Sequence, residues 1–189
     1  MSVDELLLEL ENGNKKFMAG AIPNGETATV KRLLSIDVQN PKFTLFTCSD
    51  SRIPPEIIFG MSLGDIFTIR TAGHVLDEAA LGSLEFAVGD LKTPLLIVLG
   101  HSSCAAIQKA MLTENFPGAL GSIQKHIRSA IGEETDFQAA IAGNTDKTIQ
   151  NMIYKSPVIA TALNTQQLKI VAAYYDFASG KIIFSKLKY

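Results

Sequence analysis

At 189 residues the chain is long enough to bury one sizeable core and too short for two comfortable domains. Its 17 basic and 19 acidic residues leave a formal charge of −2, so neither sign dominates and nothing points to nucleic acid or an anionic membrane as a partner. No apolar run approaches the roughly 18 residues of a membrane span, and the acidic start Met1-Ser2-Val3-Asp4-Glu5 lacks the features of a signal peptide.

Along the chain, Val3, Leu6, Leu7, Leu10, Phe17 and Met18 space out as one face of a helix over 3–19, with Gly20 as its stop. Residues 21–28 hold Pro23, Asn24 and Gly25 and read as a loop; a short helix is expected over 29–37. Phe43-Thr44-Leu45-Phe46-Thr47 follows Pro41 and reads as the first core strand, and Ile66-Phe67-Thr68-Ile69-Arg70 as the second. A helix is expected over 77–91. Leu95-Leu96-Ile97-Val98-Leu99 is wholly apolar, as in a strand of a parallel sheet covered on both faces. Helices are expected over 104–113, 119–131 and 145–154. The last two strands, 169–175 and 181–184, are joined by Asp176-Phe177-Ala178-Ser179-Gly180 as a hairpin turn. Strands alternating with helices predict a single α/β domain: a mostly parallel central sheet flanked by helices, with an antiparallel C-terminal hairpin strand.

The chain has two cysteines. Cys48 opens Cys48-Ser49-Asp50-Ser51-Arg52 after the first strand; Cys104 closes His101-Ser102-Ser103-Cys104 after the third. In a parallel sheet, ligands gather at the carboxyl ends of strands, so both pieces reach one edge. Two thiols and an imidazole suit a borderline-soft metal such as zinc, and three protein ligands leave a position open, as catalytic zinc requires. A disulfide or two buried apolar cysteines are the plainer readings, and the Asp50 and Arg52 companions argue against both. Free thiols imply a reducing compartment, hence a cytoplasmic protein. Asp50 and Arg52, two positions apart, can project to one side, where a guanidinium keeps the carboxylate ionised and oriented.

These residues carry a resemblance. Cys48-Ser49-Asp50-Ser51-Arg52 with His101-Ser102-Ser103-Cys104 resembles the β-class carbonic anhydrases. The likeness continues through Gly13-Asn14-Lys15-Lys16-Phe17, Pro55-Glu56-Ile57-Ile58-Phe59, Gly64-Asp65-Ile66-Phe67, Arg70-Thr71-Ala72-Gly73, Gly82-Ser83-Leu84-Glu85-Phe86-Ala87-Val88, Ser156-Pro157 and residues 175–180. It implies a zinc enzyme, one ion per chain, that interconverts carbon dioxide and bicarbonate through a metal-bound hydroxide. By resemblance Cys48, His101 and Cys104 match the zinc ligands and Asp50 and Arg52 the catalytic dyad. Gln39 matches a glutamine that hydrogen-bonds substrate, Phe67 matches an aromatic lining the carbon dioxide pocket, and Phe86 falls where some members have tyrosine. The family completes this pocket across a dimer interface. The implied assembly is a homodimer or dimer of dimers, with residues 1–40 as a helical arm packing on a partner subunit. Two other readings share the motifs: a carbonyl sulfide or carbon disulfide hydrolase, and a non-catalytic zinc-binding interaction protein. Ala105 is a departure, because the family usually has glycine there, and its methyl group is expected to bear on turnover rather than on zinc binding. His74 reads as a neighbour of the site, not a ligand, and His126 as a surface residue.

Overall fold

Strands β1 (Phe43–Cys48), β2 (Ile66–Thr71), β3 (Leu95–His101) and β4 (Lys169–Tyr175) run parallel, and the short β5 (Ile182–Phe184) returns antiparallel along β4. They form one sheet in the order β2-β1-β3-β4-β5 in a computed structural model that describes residues 1–21, 32–33, 37–112 and 114–185. The expected helix over 29–37 lies mostly outside these residues. Seven α-helices surround the sheet among the described residues: α1 (Val3–Met18), α2 (Pro55–Ile58), α3 (Glu78–Gly89), α4 (Ala105–Met111), α5 (Gly118–Ile131), α6 (Phe137–Lys155) and α7 (Pro157–Asn164).

The strands bury both faces because their side chains alternate. Leu45, Ile97, Leu99 and Val171 point to one face, under α1, α2, α4 and α5. Phe46, Leu96, Val98 and Ile170 point to the other, under α3, α7 and the second half of α6. This is the α/β architecture expected from the alternation of elements.

Two helices differ from expectation for identifiable reasons. Helix α6 begins at Phe137 rather than near 145, with Asp136 accepting from Ala139 N at 2.7 Å as its cap. Its inward face carries Asn144, Thr145 and Thr148, all buried, so polar residues interrupt the apolar periodicity. Helix α7 starts from Ser156, whose hydroxyl accepts from Ile159 N at 3.1 Å, with proline at its first position, a start signal carried by two residues alone.

Helix α1 opens with a capping box between Ser2 and Glu5 and spends its inward face on its own chain, with Leu6 and Leu10 in the core. At Gly13 the end of α2 comes so close that a Cβ would stand 1.9 Å from the Phe59 carbonyl oxygen. The next residue, buried Asn14, donates from Nδ2 to the Ile58 carbonyl (3.0 Å) and the Gly180 carbonyl (2.9 Å), and its Oδ1 accepts from Ile182 N (2.9 Å). One amide thus joins the N-terminal helix, α2 and the β4–β5 turn.

Candidate metal centre

The register Cys48↔Thr71 and His101↔Tyr175 ends β1, β2, β3 and β4 along one edge of the sheet. Cys48 and His101 are the last residues of β1 and β3, and Cys104 is the N-cap residue of α4, three residues further on. The ligand atoms of Cys48, His101 and Cys104 all lie within 4.8 Å of one another, and all three residues are buried. Both cysteines are free thiols, so the disulfide reading does not hold.

The chemistry of the three donors fits a metal. His101 Nδ1 lies 2.8 Å from the Ser102 carbonyl oxygen, which can only accept, so Nδ1 carries the proton and Nε2 presents its lone pair. Nε2 is buried and has no hydrogen-bond partner, a costly state unless something electrophilic sits beside it. The two thiols share one proton. Cys48 is drawn far below the ordinary thiol range, first by the hydrogen bond from the Cys104 thiol, and Cys104 is pushed above it by that same contact. A cation that replaces the shared proton lets both ionise.

Around this triad the backbone is arranged to suit. Gly73, in a 3-10 turn after β2, donates its N–H to Cys48 Sγ at 3.2 Å. It needs to be glycine twice over: its φ is +63°, and a Cβ would meet Ile127 Cδ1 at 2.7 Å. Ser103, between the two C-terminal ligands, also has a positive φ, +55°, and offers its carbonyl to an Arg52 Nη at 3.3 Å.

The dyad is formed. Arg52 donates through Nε to Asp50 Oδ1 (2.9 Å) and through Nη to Oδ2 (2.7 Å), and Arg52 N adds a bond to Oδ1 (3.0 Å). This forked pairing holds the Asp50 carboxyl down at about 2, well below the usual carboxylate range. Asp50 is the sheltered partner, with 13% of its side chain exposed against 53% for Arg52.

Sequence reasoning missed two contributors. Arg70, on β2, donates to the Cys48 carbonyl (3.0 Å) and the Asp50 carbonyl (2.6 Å), so a neighbouring strand clamps the loop that carries Cys48 and Asp50. Phe177, in the β4–β5 turn, contacts both His101 and Arg52. Arg70 was visible within a motif but nothing in its spacing showed its targets; Phe177 read as a turn residue.

The chain's match to known proteins agrees with this centre. A family model described as carbonic anhydrase matches residues 43–182. The carbonic anhydrase of Mycolicibacterium smegmatis is 34% identical over 92% of this chain and 88% of its own length. The chain belongs to the β-carbonic anhydrase family. Carbonic anhydrase 2 of Mycobacterium tuberculosis is 33% identical over the same shares of the two chains. Among solved structures, tetrameric β-carbonic anhydrases of Sordaria macrospora superpose with a TM-score of 0.69 at 22% identity, covering 96% of each chain, which shows the shared fold. Carbonic anhydrases are lyases, and no helix among the described residues is long and apolar enough to cross a membrane.

The residues expected to line the substrate pocket sit elsewhere. Phe67 pairs with Thr44 while Thr71 pairs with Cys48, so about 13 Å of strand separates Phe67 from the level of the triad. Phe86, on α3, meets Phe67 with ring centroids 6.0 Å apart and is 43% exposed. Gln39 lies on the exposed lead-in to β1, at the end of that strand away from Cys48. Phe67 is a residue of β2, an outer strand of the sheet, and Phe86 packs against it.

Of the other positions singled out, Ala105 is exposed at the first position of α4, and it is Ala106 that stands close to Gly73. His74 is completely buried behind the site, beside Asn144 and Thr145 of α6, and burial pushes it down to about 4. It is neutral at pH 7 and unsuited to carrying protons there. His126 is exposed on α5.

Proposed function

We propose that this chain catalyses the reversible hydration of carbon dioxide to bicarbonate at a zinc ion held by Cys48, His101 and Cys104. The observation that carries the reading is the buried, unpartnered Nε2 of His101, grouped with two buried thiols, next to a formed carboxylate–guanidinium pair. A purely structural metal site has no use for that pair. When bound, zinc supplies a Lewis acid and a water that ionises readily, though less so beside two thiolates than beside three imidazoles, so activity is expected to favour alkaline pH.

The residues of this chain do the rest. Asp50 remains anionic throughout the working range, so it can only accept a hydrogen bond, and it thereby orients the attacking water. Arg52 fixes the angle of Asp50. Phe67 and Phe86 give carbon dioxide an apolar wall, and the Gln39 amide donates to an oxygen as charge develops on it. Because Phe67 and Phe86 lie at β2, and Gln39 at the far end of β1, rather than at their own chain's triad, we assign all three to the site of a neighbouring copy. The active species is then a homodimer or dimer of dimers joined at that edge, which the family resemblance and the tetramers of Sordaria macrospora support. The thiol ligands fit a reducing, cytoplasmic setting.

Stopped-flow hydration on protein carrying one zinc per chain is the test. Turnover that disappears with the metal in Cys48→Ala, His101→Ala or Cys104→Ala is the expected result. Fully zinc-loaded protein without hydration would overturn the reading, and hydrolysis of carbonyl sulfide in its place would identify the other substrate class.

A further inference from the structure

The turn joining β4 to β5 brings an aromatic ring to the centre. Phe177 is partly buried, and the Arg52 Cζ stands over its ring, 4.1 Å from the centroid. The His101 ring meets it edge-to-face at 5.3 Å, and the Tyr175 ring does so at the same distance. One side chain therefore touches a metal ligand and the dyad cation together.

The ring is held by its own surroundings. Phe177 N donates to Ser102 Oγ at 2.8 Å, and Ser102 N donates to the Tyr175 carbonyl at 2.9 Å, which ties the turn to the ligand-bearing loop. The Asp176 carboxylate accepts from Ser179 Oγ (2.6 Å) and Ser179 N (3.0 Å), and Gly180 N closes the turn on the Asp176 carbonyl (2.8 Å). Asn14 fixes Gly180 from α1.

Arg52 has no comparable enclosure. Half its side chain is exposed, and its forked bond to Asp50 reaches back only two residues along the same segment. A guanidinium lying on an aromatic face keeps its edge free for in-plane hydrogen bonds, which is the arrangement the forked pairing with Asp50 requires. We propose that Phe177 is a positioning residue of the centre: its ring holds Arg52 in the rotamer that pairs with Asp50 while it packs His101. This rests on the reading of Asp50 and Arg52 as the catalytic dyad.

The test uses the zinc-loaded protein with Phe177→Leu, and a series in which Phe177 carries one, two or three ring fluorines. Fluorination weakens the negative ring face stepwise and leaves the shape nearly intact. The expected result is unchanged zinc content and KM, with kcat falling in step with fluorination and about two- to fivefold in Phe177→Leu, the range for a partly exposed cation–π contact. In parallel, the NMR resonances of the Arg52 side chain should lose their ring-current shift in Phe177→Leu. A kcat that is flat across the fluorinated series, or Arg52 resonances unmoved by Phe177→Leu, would overturn the proposal. Should the wild type show no hydration, the functional reading fails, and the Arg52 resonances still decide whether the ring holds the guanidinium.

Discussion

Replacing Asn14 with leucine removes the amide that joins α1, α2 and the β4–β5 turn while keeping the branching and the number of heavy atoms. Three backbone groups lose their partner: the Ile58 and Gly180 carbonyls and the Ile182 N–H. Asn14 itself is 3% exposed, so water cannot readily replace it. A buried polar group left unpaired costs about 1–3 kcal/mol. The N–H, with one hydrogen to place, stands near the upper end, and the carbonyls, with two lone pairs each, near the lower. The sum is roughly 4–5 kcal/mol. For a chain of this size each kcal/mol lowers the melting temperature by about 2–4 °C, so a fall of roughly 8–20 °C is expected. Urea unfolding and calorimetry at fixed zinc saturation are the assays, because bound metal adds its own stabilisation. Asn14→Asp discriminates further: it keeps the acceptor for Ile182 N but turns carboxylate oxygens toward two carbonyls, and should be no better than leucine. A loss below about 1 kcal/mol in Asn14→Leu would refute the assignment of this amide as the link between the three segments.

The dyad can be read by pH. The folded-state pKa of Asp50 is depressed to about 2, so the pairing contributes stability above the unfolded value near 3.8 and loses it as pH falls through 2; Arg52→Ala should move the Asp50 carboxyl, followed by 13C NMR, back up toward 3.8, and an unmoved titration would contradict the forked pairing. Asp50→Asn should retain zinc and lose most of the hydration rate; wild-type turnover across pH 6–9 would make the pair structural. Mixing chains carrying Cys48→Ala with chains carrying Phe67→Ala should restore part of the activity that each lacks alone, because some mixed dimers then hold one intact composite site; no recovery on subunit exchange would place the aromatic pair outside the pocket. Ala105 is exposed, so Ala105→Gly should leave turnover within about twofold and cost roughly 0.5–1 kcal/mol of stability; a large gain in rate would show that the methyl group does press on the site.

The centre was legible because its chemistry is local in sequence. Cys48, Asp50 and Arg52 share five residues, and His101 and Cys104 share four, each group following an apolar run that could only be a buried strand. The sheet order, by contrast, depends on which runs are adjacent, and periodicity says nothing of that. Helix α6 was half-hidden because Asn144, Thr145 and Thr148 face inward, the first two to serve the turn that carries Gly73 and His74. Arg70 and Phe177 were hidden for another reason. Their targets are two backbone carbonyls and a guanidinium, and their separations from those targets in sequence follow no rule. The same limit applies to Gln39, Phe67 and Phe86, whose distance from the triad became visible only from the register of β1 and β2.

Charge explains why these contributors belong together. Without a cation the triad offers at most one thiolate, since Cys48 and Cys104 compete for a shared proton in a buried space. A zinc ion held there would bring two positive charges to two thiolates and an imidazole, and the loaded triad would be neutral. The Asp50–Arg52 pair is neutral as well. The centre can then be buried without a net charge, at a place where an unbalanced one would cost several kcal/mol. Uptake of a metal there would release the remaining thiol proton, so affinity would rise with pH, in the same direction as the expected activity. The backbone adds donors where negative charge stands: Gly73 N toward Cys48 Sγ, and Arg52 N toward Asp50. Arg70 donates instead to the Cys48 and Asp50 carbonyls, which aims the loop without adding to the pair's own charge. Each of these groups stands at or just beyond the carboxyl end of β1, β2 or β3. A parallel sheet places those ends side by side, and that adjacency is what converts two short, distant motifs into one site.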